Sequence, residues 1–351
     1  MHGSFVVMLS RIAPLLACVF ALIGPTSCAS LDIENARSNT ISIANAEDLA
    51  LLEGGRWIIA SSMTGGATRS GALYAIDTET EDLHLLYPSG VSKVTENATD
   101  CFTEIAKQDF APHGITIHVT ATGETQLFVV NHGGRESIEL FSITLEEIPS
   151  LSWTGCIEYP EGSSGNGVAV SDDGTIYAAR TSLFDSSKTE QDFLGDVVFR
   201  RPGENWKTVP NSEMMGPNGI VVSPGGEQIF VNAWPIGTLA VINTESGQRK
   251  DIDLPLLPDN IKWSDQGTLL VTGHRAPMEE VMSCYISPEP VCENASAYAE
   301  IDPQNLEIIE VTDVDLGLAT TAIDVGQSCW LGTARGSTIG RLPHSCSRAI
   351  E

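Results

Sequence analysis

An all-β fold, a six-bladed β-propeller with a central channel, is what the sequence predicts, on three observations. One hairpin phrase returns six times, further strand-like runs separate the copies, and long amphipathic helical periodicity is absent beyond the first 30 residues. The copies are "EDLALLEGGRWIIASS", "HGITIHVTATGETQLFVVNH", "NGVAVSDDGTIYAAR", "NGIVVSPGGEQIFVNAW", "DNIKWSDQGTLLVTGH" and "TTAIDVGQSCWLGTA". Each reads as a polar start, a short apolar strand, a glycine turn and a second apolar strand, bounded by Gly, Asp, Ser or Pro. Runs such as "ALYAID", "IELFSI", "DVVFRR", "LAVINT" and "AYAEID" lie between them and bring each unit to about four strands, the make-up of a propeller blade.

The copies begin at Glu47, His113, Asn166, Asn218, Asp259 and Thr320, spaced by 66, 53, 52, 41 and 61 residues. A constant phrase at unequal spacing means loop insertions on a fixed scaffold. A β-sandwich is the main rival, but six copies favour radial closure, because each sheet needs neighbours on both faces to bury its apolar sides. At 351 residues the chain is long for one ordinary domain, yet propellers of this size are single units, so 30–351 reads as one domain.

Residues 1–29 differ from the rest. Arg11 precedes "IAPLLACVFALIG", a thirteen-residue apolar run too short to span a bilayer comfortably, and then "PTSCAS", the layout of a secretory signal. The expected location is therefore secreted or periplasmic. Membrane attachment would come only through a lipidated Cys28, and Pro25 and Thr26 match poorly the residues usually found before a lipidated cysteine. Beyond Cys18 and Cys28 six cysteines remain, an even number suited to an exported chain. Sequence does not give their connectivity; the expected pairs are Cys284 with Cys292 across one loop, Cys329 with Cys346 within the last hairpin, and Cys101 with Cys156. No C-x-x-C occurs, so zinc-finger and thioredoxin chemistry have no support. Asn97 and Asn294 begin glycosylation sequons, relevant in a eukaryotic source. A net charge of −27 with only 19 Lys and Arg argues against nucleic acid as a partner and suits hard cations.

The register of the repeat points to a site. Glu47, Asn166, Asn218 and Asp259 each precede the turn glycine (Gly55, Gly174, Gly226 and Gly267) by eight residues, and Asn260 adds a fifth oxygen donor. Equivalent positions on the innermost strands of a radial fold ring the channel, so these side chains should converge. Taken singly, an Asn or Asp starting a strand more often bonds local backbone; four in one register favour convergence. Two carboxylates with three carboxamides, and no sulfur, offer the all-oxygen shell that calcium prefers.

These stretches, with "PHGITIHV", "LFVVNH", "IELFSI" and "PDNI", give the chain a resemblance to the paraoxonase family of arylesterases and lactonases over most of its length from about Asn45 on, and a more distant one to the gluconolactonase and senescence-marker family. Both are calcium propellers. The resemblance implies a catalytic calcium held by Glu47, Asn166, Asn218, Asp259 and Asn260, the same five residues. It implies a second, structural calcium on Asp48 and the carbonyl of Ile115, although Gly167 stands where the family has an Asp ligand. It also places a histidine pair, His113 and His132, above the metal. His274, at a comparable blade position, and Thr320 are candidates for the substrate pocket.

The implied reaction is hydrolysis of a small-molecule ester, above all a lactone, with calcium polarising the carbonyl and His113 activating water under orientation by His132. Asp259 as base or nucleophile is the open alternative. No G-x-S-x-G, S-x-x-K or H-E-x-x-H occurs, which leaves serine-hydrolase and zincin mechanisms without a signature. A gluconolactonase-type sugar lactonase and a non-catalytic propeller braced by calcium are the rival readings. Specificity is expected from the long connections "TSLFDSSKTEQDFLG" and "RAPMEEVMSCYISPEPVCENAS".

Overall fold

Strands that are apolar on both faces need a neighbouring sheet on each side, and this chain meets that demand by closing a ring. The computed structural model describes residues 41–65, 70–89, 91–92, 100–182 and 194–348. The N-terminal segment, Cys18, Cys28, Asn97 and most of the first long connection fall outside them.

Six antiparallel sheets follow one another along the chain. Blade 1 holds β1 (Ala46–Leu51), β2 (Trp57–Ser62), β3 (Ala72–Asp77) and β4 (Leu83–Tyr87). Blade 2 holds β6 (Pro112–Val119), β7 (Thr125–Asn131), β8 (Ser137–Thr144) and β9 (Ser150–Glu158), with the short β5 (Val91–Ser92) parallel to β9. Blade 3 holds β10 (Ser163–Val170), β11 (Ile176–Ser182), β12 (Leu194–Arg200) and β13 (Lys207–Thr208), and β14 (Met214–Met215) pairs with β12. Blade 4 comprises β15 (Pro217–Val222), β16 (Gln228–Ala233), β17 (Thr238–Asn243) and β18 (Arg249–Asp253). Blade 5 comprises β19 (Leu257–Trp263), β20 (Leu269–His274), β21 (Ser296–Ile301) and β22 (Ile308–Val314), and a helix, α1 (Met278–Ile286), sits in its β20–β21 connection. Blade 6 has β23 (Ala319–Val325), β24 (Ser328–Thr333) and β25 (Gly340–Leu342). Each sequence repeat is thus the inner hairpin of one blade, and the sandwich alternative falls.

Among the described residues the apolar core is divided into one cluster per blade interface and a smaller one under α1, around Val281, Cys292 and Leu318. Trp57, Leu73 and Tyr87 of blade 1 pack on Ile115, Phe141 and Trp153 of blade 2. Phe230 and Val241 of blade 4 pack on Leu269 and Ala299 of blade 5, and Ile58 and Ile76 of blade 1 pack on Ile323 and Trp330 of blade 6. The last pairing closes the circle. Backbone bonds reinforce it where the Ile339 and Asn45 amides donate to the carbonyls of Ile41 (3.2 Å) and Gly336 (2.9 Å). Disulfides join Cys101 to Cys156, Cys284 to Cys292 and Cys329 to Cys346, tying loops and the C-terminal segment to this frame.

Candidate active site

The inner strands β1, β6, β10, β15, β19 and β23 share one irregularity. Each ladder skips at the repeat's first residue: Glu47 falls between the paired Ala46 and Asp48, Asn218 and Gly219 between Pro217 and Ile220, and Asp259 and Asn260 between Pro258 and Ile261. The same break occurs at His113, Asn166 and Thr320. A bulge frees a residue from pairing and re-aims its side chain, so six bulges in register turn six side chains toward the channel. The glycine that follows in blades 2, 3 and 4 lets the next blade approach. A Cβ on Gly114, Gly167 or Gly219 would lie 2.5, 2.6 or 2.5 Å from the carbonyl oxygen of Asn166, Asn218 or Asp259.

Of the five oxygen donors expected from the sequence, hydrogen bonds link Asn260 to Glu47 and Asn218 to Asp259. Glu47, Asn218, Asp259 and Asn260 are buried, and Asn260 Nδ2 donates to Glu47 Oε1 at 2.7 Å. Burial pushes the Glu47 carboxyl well up, with the charges of Asp48 and Asp259 adding to the effect and the Asn260 bond opposing it. Burial likewise raises Asp259 to about 7, against the bond from Asn218 and with a further push from Asp48. Two buried carboxylates resist ionisation here, and Lys262 offsets the effect at Glu47 only in part.

Buried oxygens without partners point the same way. Among the described residues Glu47 Oε2, Asn166 Oδ1 and Asn218 Oδ1 are buried and accept no hydrogen bond. Such orphans are costly unless something else uses them. The donor set fits a hard divalent cation. No group of three His, Cys, Asp or Glu side chains suited to a metal occurs among the described residues, as follows from a ring with two carboxylates whose other donors are amides.

Beside the ring stands a chain of acid–base groups. His113 Nε2 lies 3.6 Å from Glu47 Oε1, its Nδ1 is 2.8 Å from His132 Nε2, and His132 Nδ1 is 3.0 Å from Glu136 Oε2. Ser164 also donates to Glu136, at 3.2 Å. With Glu136 accepting from His132 Nδ1, His132 accepts at Nε2 from His113 Nδ1 and leaves the His113 Nε2 lone pair facing Glu47. Burial, helped by His132, lowers His113 to about 3, which keeps it neutral.

His274 and Thr320 do not line an open pocket: both are fully buried. Thr320 donates to the Glu47 carbonyl at 2.6 Å, while His274 accepts from Trp234 Nε1 at 3.2 Å and directs Nε2 toward Asp259 Oδ2, 3.6 Å away. They brace ring residues. Nor is the proposed second metal pair free, because Lys262 Nζ donates to Asp48 Oδ2 at 2.8 Å and to the Ile115 carbonyl at 3.1 Å.

Glu136, Ser164, Trp234, Asn232 and Tyr285 were not among the residues singled out from the sequence. Asn232 donates to the Asp259 carbonyl at 2.7 Å. Tyr285, on α1, packs edge-on to Trp234, and its hydroxyl is held protonated by burial and by the nearby charges of Asp259 and Glu47. Its segment is clamped by Arg335, which donates to the carbonyls of Tyr285, Ser287 and Glu289. Of all these, only Glu136 carried a signal, a carboxylate four residues after His132. A cleft of about 490 Å³, lined by His118, Thr120, Asp172, Asp173, Arg201 and Gly203 among others, lies at the opposite end of the strands and does not border the ring.

In fold the chain is similar to a gluconolactonase from Xanthomonas campestris (TM-score 0.56, 16% identity, covering 87% of this chain and 88% of that one). It is similar also to a calcium-binding protein, regucalcin, from Agrobacterium tumefaciens (0.56, 10%, 87% and 93%) and to a luciferin-regenerating enzyme (0.55, 10%, 84% and 85%). At these identities the likeness is one of architecture. No curated protein sequence matches the chain. The family model described as arylesterase matches residues 24–314, and the chain belongs to that family of esterase and lactonase hydrolases.

Proposed function

We propose that this chain is an exported, calcium-dependent hydrolase of carboxylic esters whose main substrates are lactones. The observation that carries the reading is the set of orphaned oxygens on Glu47, Asn166 and Asn218, beside carboxylates that resist ionisation, at the foot of the His113–His132 pair. A calcium ion held by Glu47, Asn166, Asn218, Asp259 and Asn260 would supply Lewis-acid polarisation of the substrate carbonyl and charge for the developing oxyanion.

The chain's own residues do the proton work. His113 Nε2 takes a proton from water as its oxygen adds to the carbonyl carbon. The Nδ1 proton of His113 passes to His132, whose positive charge rests beside Glu136. When the ring C–O bond breaks, the same route returns a proton to the leaving alkoxide, and the product is a hydroxy acid. Asp259 is the rival base or nucleophile. Single turnover in H₂¹⁸O tests the nucleophile, since label in the Asp259 carboxylate marks an anhydride opened by water at the aspartyl carbon, which direct attack by water cannot give.

Chelation and Asn218→Ala are each expected to abolish turnover of a lactone and aryl-ester panel. Activity that survives both refutes the metal-centred reading. A sugar-lactonase reading stands beside the first, supported by the likeness to a gluconolactonase, and aldonolactones in the same panel decide between them. Metal-dependent stability without turnover of any substrate would leave the non-catalytic propeller.

A further inference from the structure

A lysine stands below the ring, paired with a buried carboxylate. Three residues after the ring position the blades carry Ala50, Thr116, Ala169, Val221 and Ile323, and in blade 5 Lys262. Its ammonium donates to Asp48 Oδ2 at 2.8 Å and to the Ile115 carbonyl at 3.1 Å, while Asp48 Oδ2 also accepts the Ile115 amide at 2.8 Å and Oδ1 the Leu49 amide at 2.9 Å. Asp48 is buried, with 2% of its surface exposed. A compact ammonium from blade 5, held by oxygens of blades 1 and 2, is the arrangement of a bound cation, supplied by the chain itself.

The residues there do not fit a second divalent ion. A side chain at 167 would complete such a site, yet a Cβ on Gly167 would lie 2.6 Å from the Asn218 carbonyl oxygen and 3.0 Å from the Ile220 nitrogen. Two protein oxygens, both engaged by Lys262, fall short of the six to eight that calcium takes. We infer that Lys262 is the built-in structural cation of the channel, tying blades 1, 2 and 5, so that this chain takes up one divalent ion where the family resemblance implies two.

Two measurements test this, on the full chain stripped of metal. Calcium titration followed by metal analysis is expected to find one ion per chain; two ions overturn the inference. Removing the partner of a buried carboxylate is costly, so the metal-free Tm of Lys262→Met is expected to fall by about 5–10 °C. Asp48→Asn added to Lys262→Met should cost little more, because the two residues act as a pair. An unchanged Tm in Lys262→Met, or additive losses, also overturns it. If Lys262→Met does not fold, the ion count decides alone. The ion count also separates this inference from the catalytic reading: no bound ion, with the Tm loss intact, sinks the central calcium and upholds Lys262.

Discussion

His113 and His132 meet nitrogen to nitrogen at 2.8 Å, although 19 residues separate them in the chain. The β6–β7 hairpin places one at the start of its inner strand and the other at the end of its return, and Glu136 fixes the direction of the pair by accepting from His132 Nδ1 at 3.0 Å. Glu136→Gln keeps the shape and removes the charge that steadies protonated His132. Its expected effect is a loss of about tenfold in kcat with KM little changed and a displaced pH profile, against ~100-fold or more for His113→Gln. Steady-state kinetics across pH measures both.

Asp259 couples the site to stability. Its carboxyl is raised to about 7 in the fold against 3.8 when unfolded, so a metal-free chain carries no penalty below about pH 4 and loses stability as pH climbs through 7. His113 and His274, both lowered to about 3, act in the other direction and cost stability as pH falls from 6.5 toward 3. A bare Tm profile mixes the two. The difference between Asp259→Asn and the parent isolates the carboxyl: the variant should be inactive, near the parent in Tm at pH 4 and above it at pH 8 without metal. Thermal melts at both values test this.

Calcium affinity follows from the same proton. The ion must displace it from Asp259, so binding should weaken as pH drops below 7. Calorimetric titration at pH 6 and pH 8 should find tighter binding at the higher value and more protons released per ion at the lower one.

Gly167→Ala probes how closely the inner strands approach. Its Cβ would meet the Asn218 carbonyl at 2.6 Å, and both groups belong to packed backbone that has little room to shift. A destabilisation of roughly 1–3 kcal/mol is expected, together with weakened calcium binding, because the displaced Asn218 is a ring donor. Gly54→Ala, where nothing lies within 4 Å but φ is +88°, separates backbone strain from crowding. Denaturant unfolding of both variants provides the comparison.

Arg335→Met tests the α1 clamp. Three charge-assisted bonds to the carbonyls of 285, 287 and 289 are lost, so hydrogen exchange over 278–292 should quicken while blades 2 and 3 keep their protection. KM is expected to rise severalfold, since Tyr285 lies within reach of the ring's charges.

Much of this was legible in the sequence because the fold repeats. A strand apolar on both faces, returned six times and in four copies with a glycine eight residues after a polar start, is best buried by radial stacking, and radial stacking brings equal positions together. That reasoning set Glu47, Asn166, Asn218, Asp259 and Asn260 at one register position of the inner strands, where the ladders of all those strands break. It failed where a residue's partner comes from outside the register. Lys262 drew no notice in the sequence, because its partners come from blades 1 and 2, and His274 and Thr320 read as pocket candidates until their burial is known. Glu136, Trp234 and Tyr285 sit on connections whose course no period dictates. Register alone determined which side chains ring the channel; packing across it decided which of them keep a lone pair free, which are braced and which bond is made by an ammonium, because those outcomes depend on angstrom-scale distances between segments hundreds of residues apart.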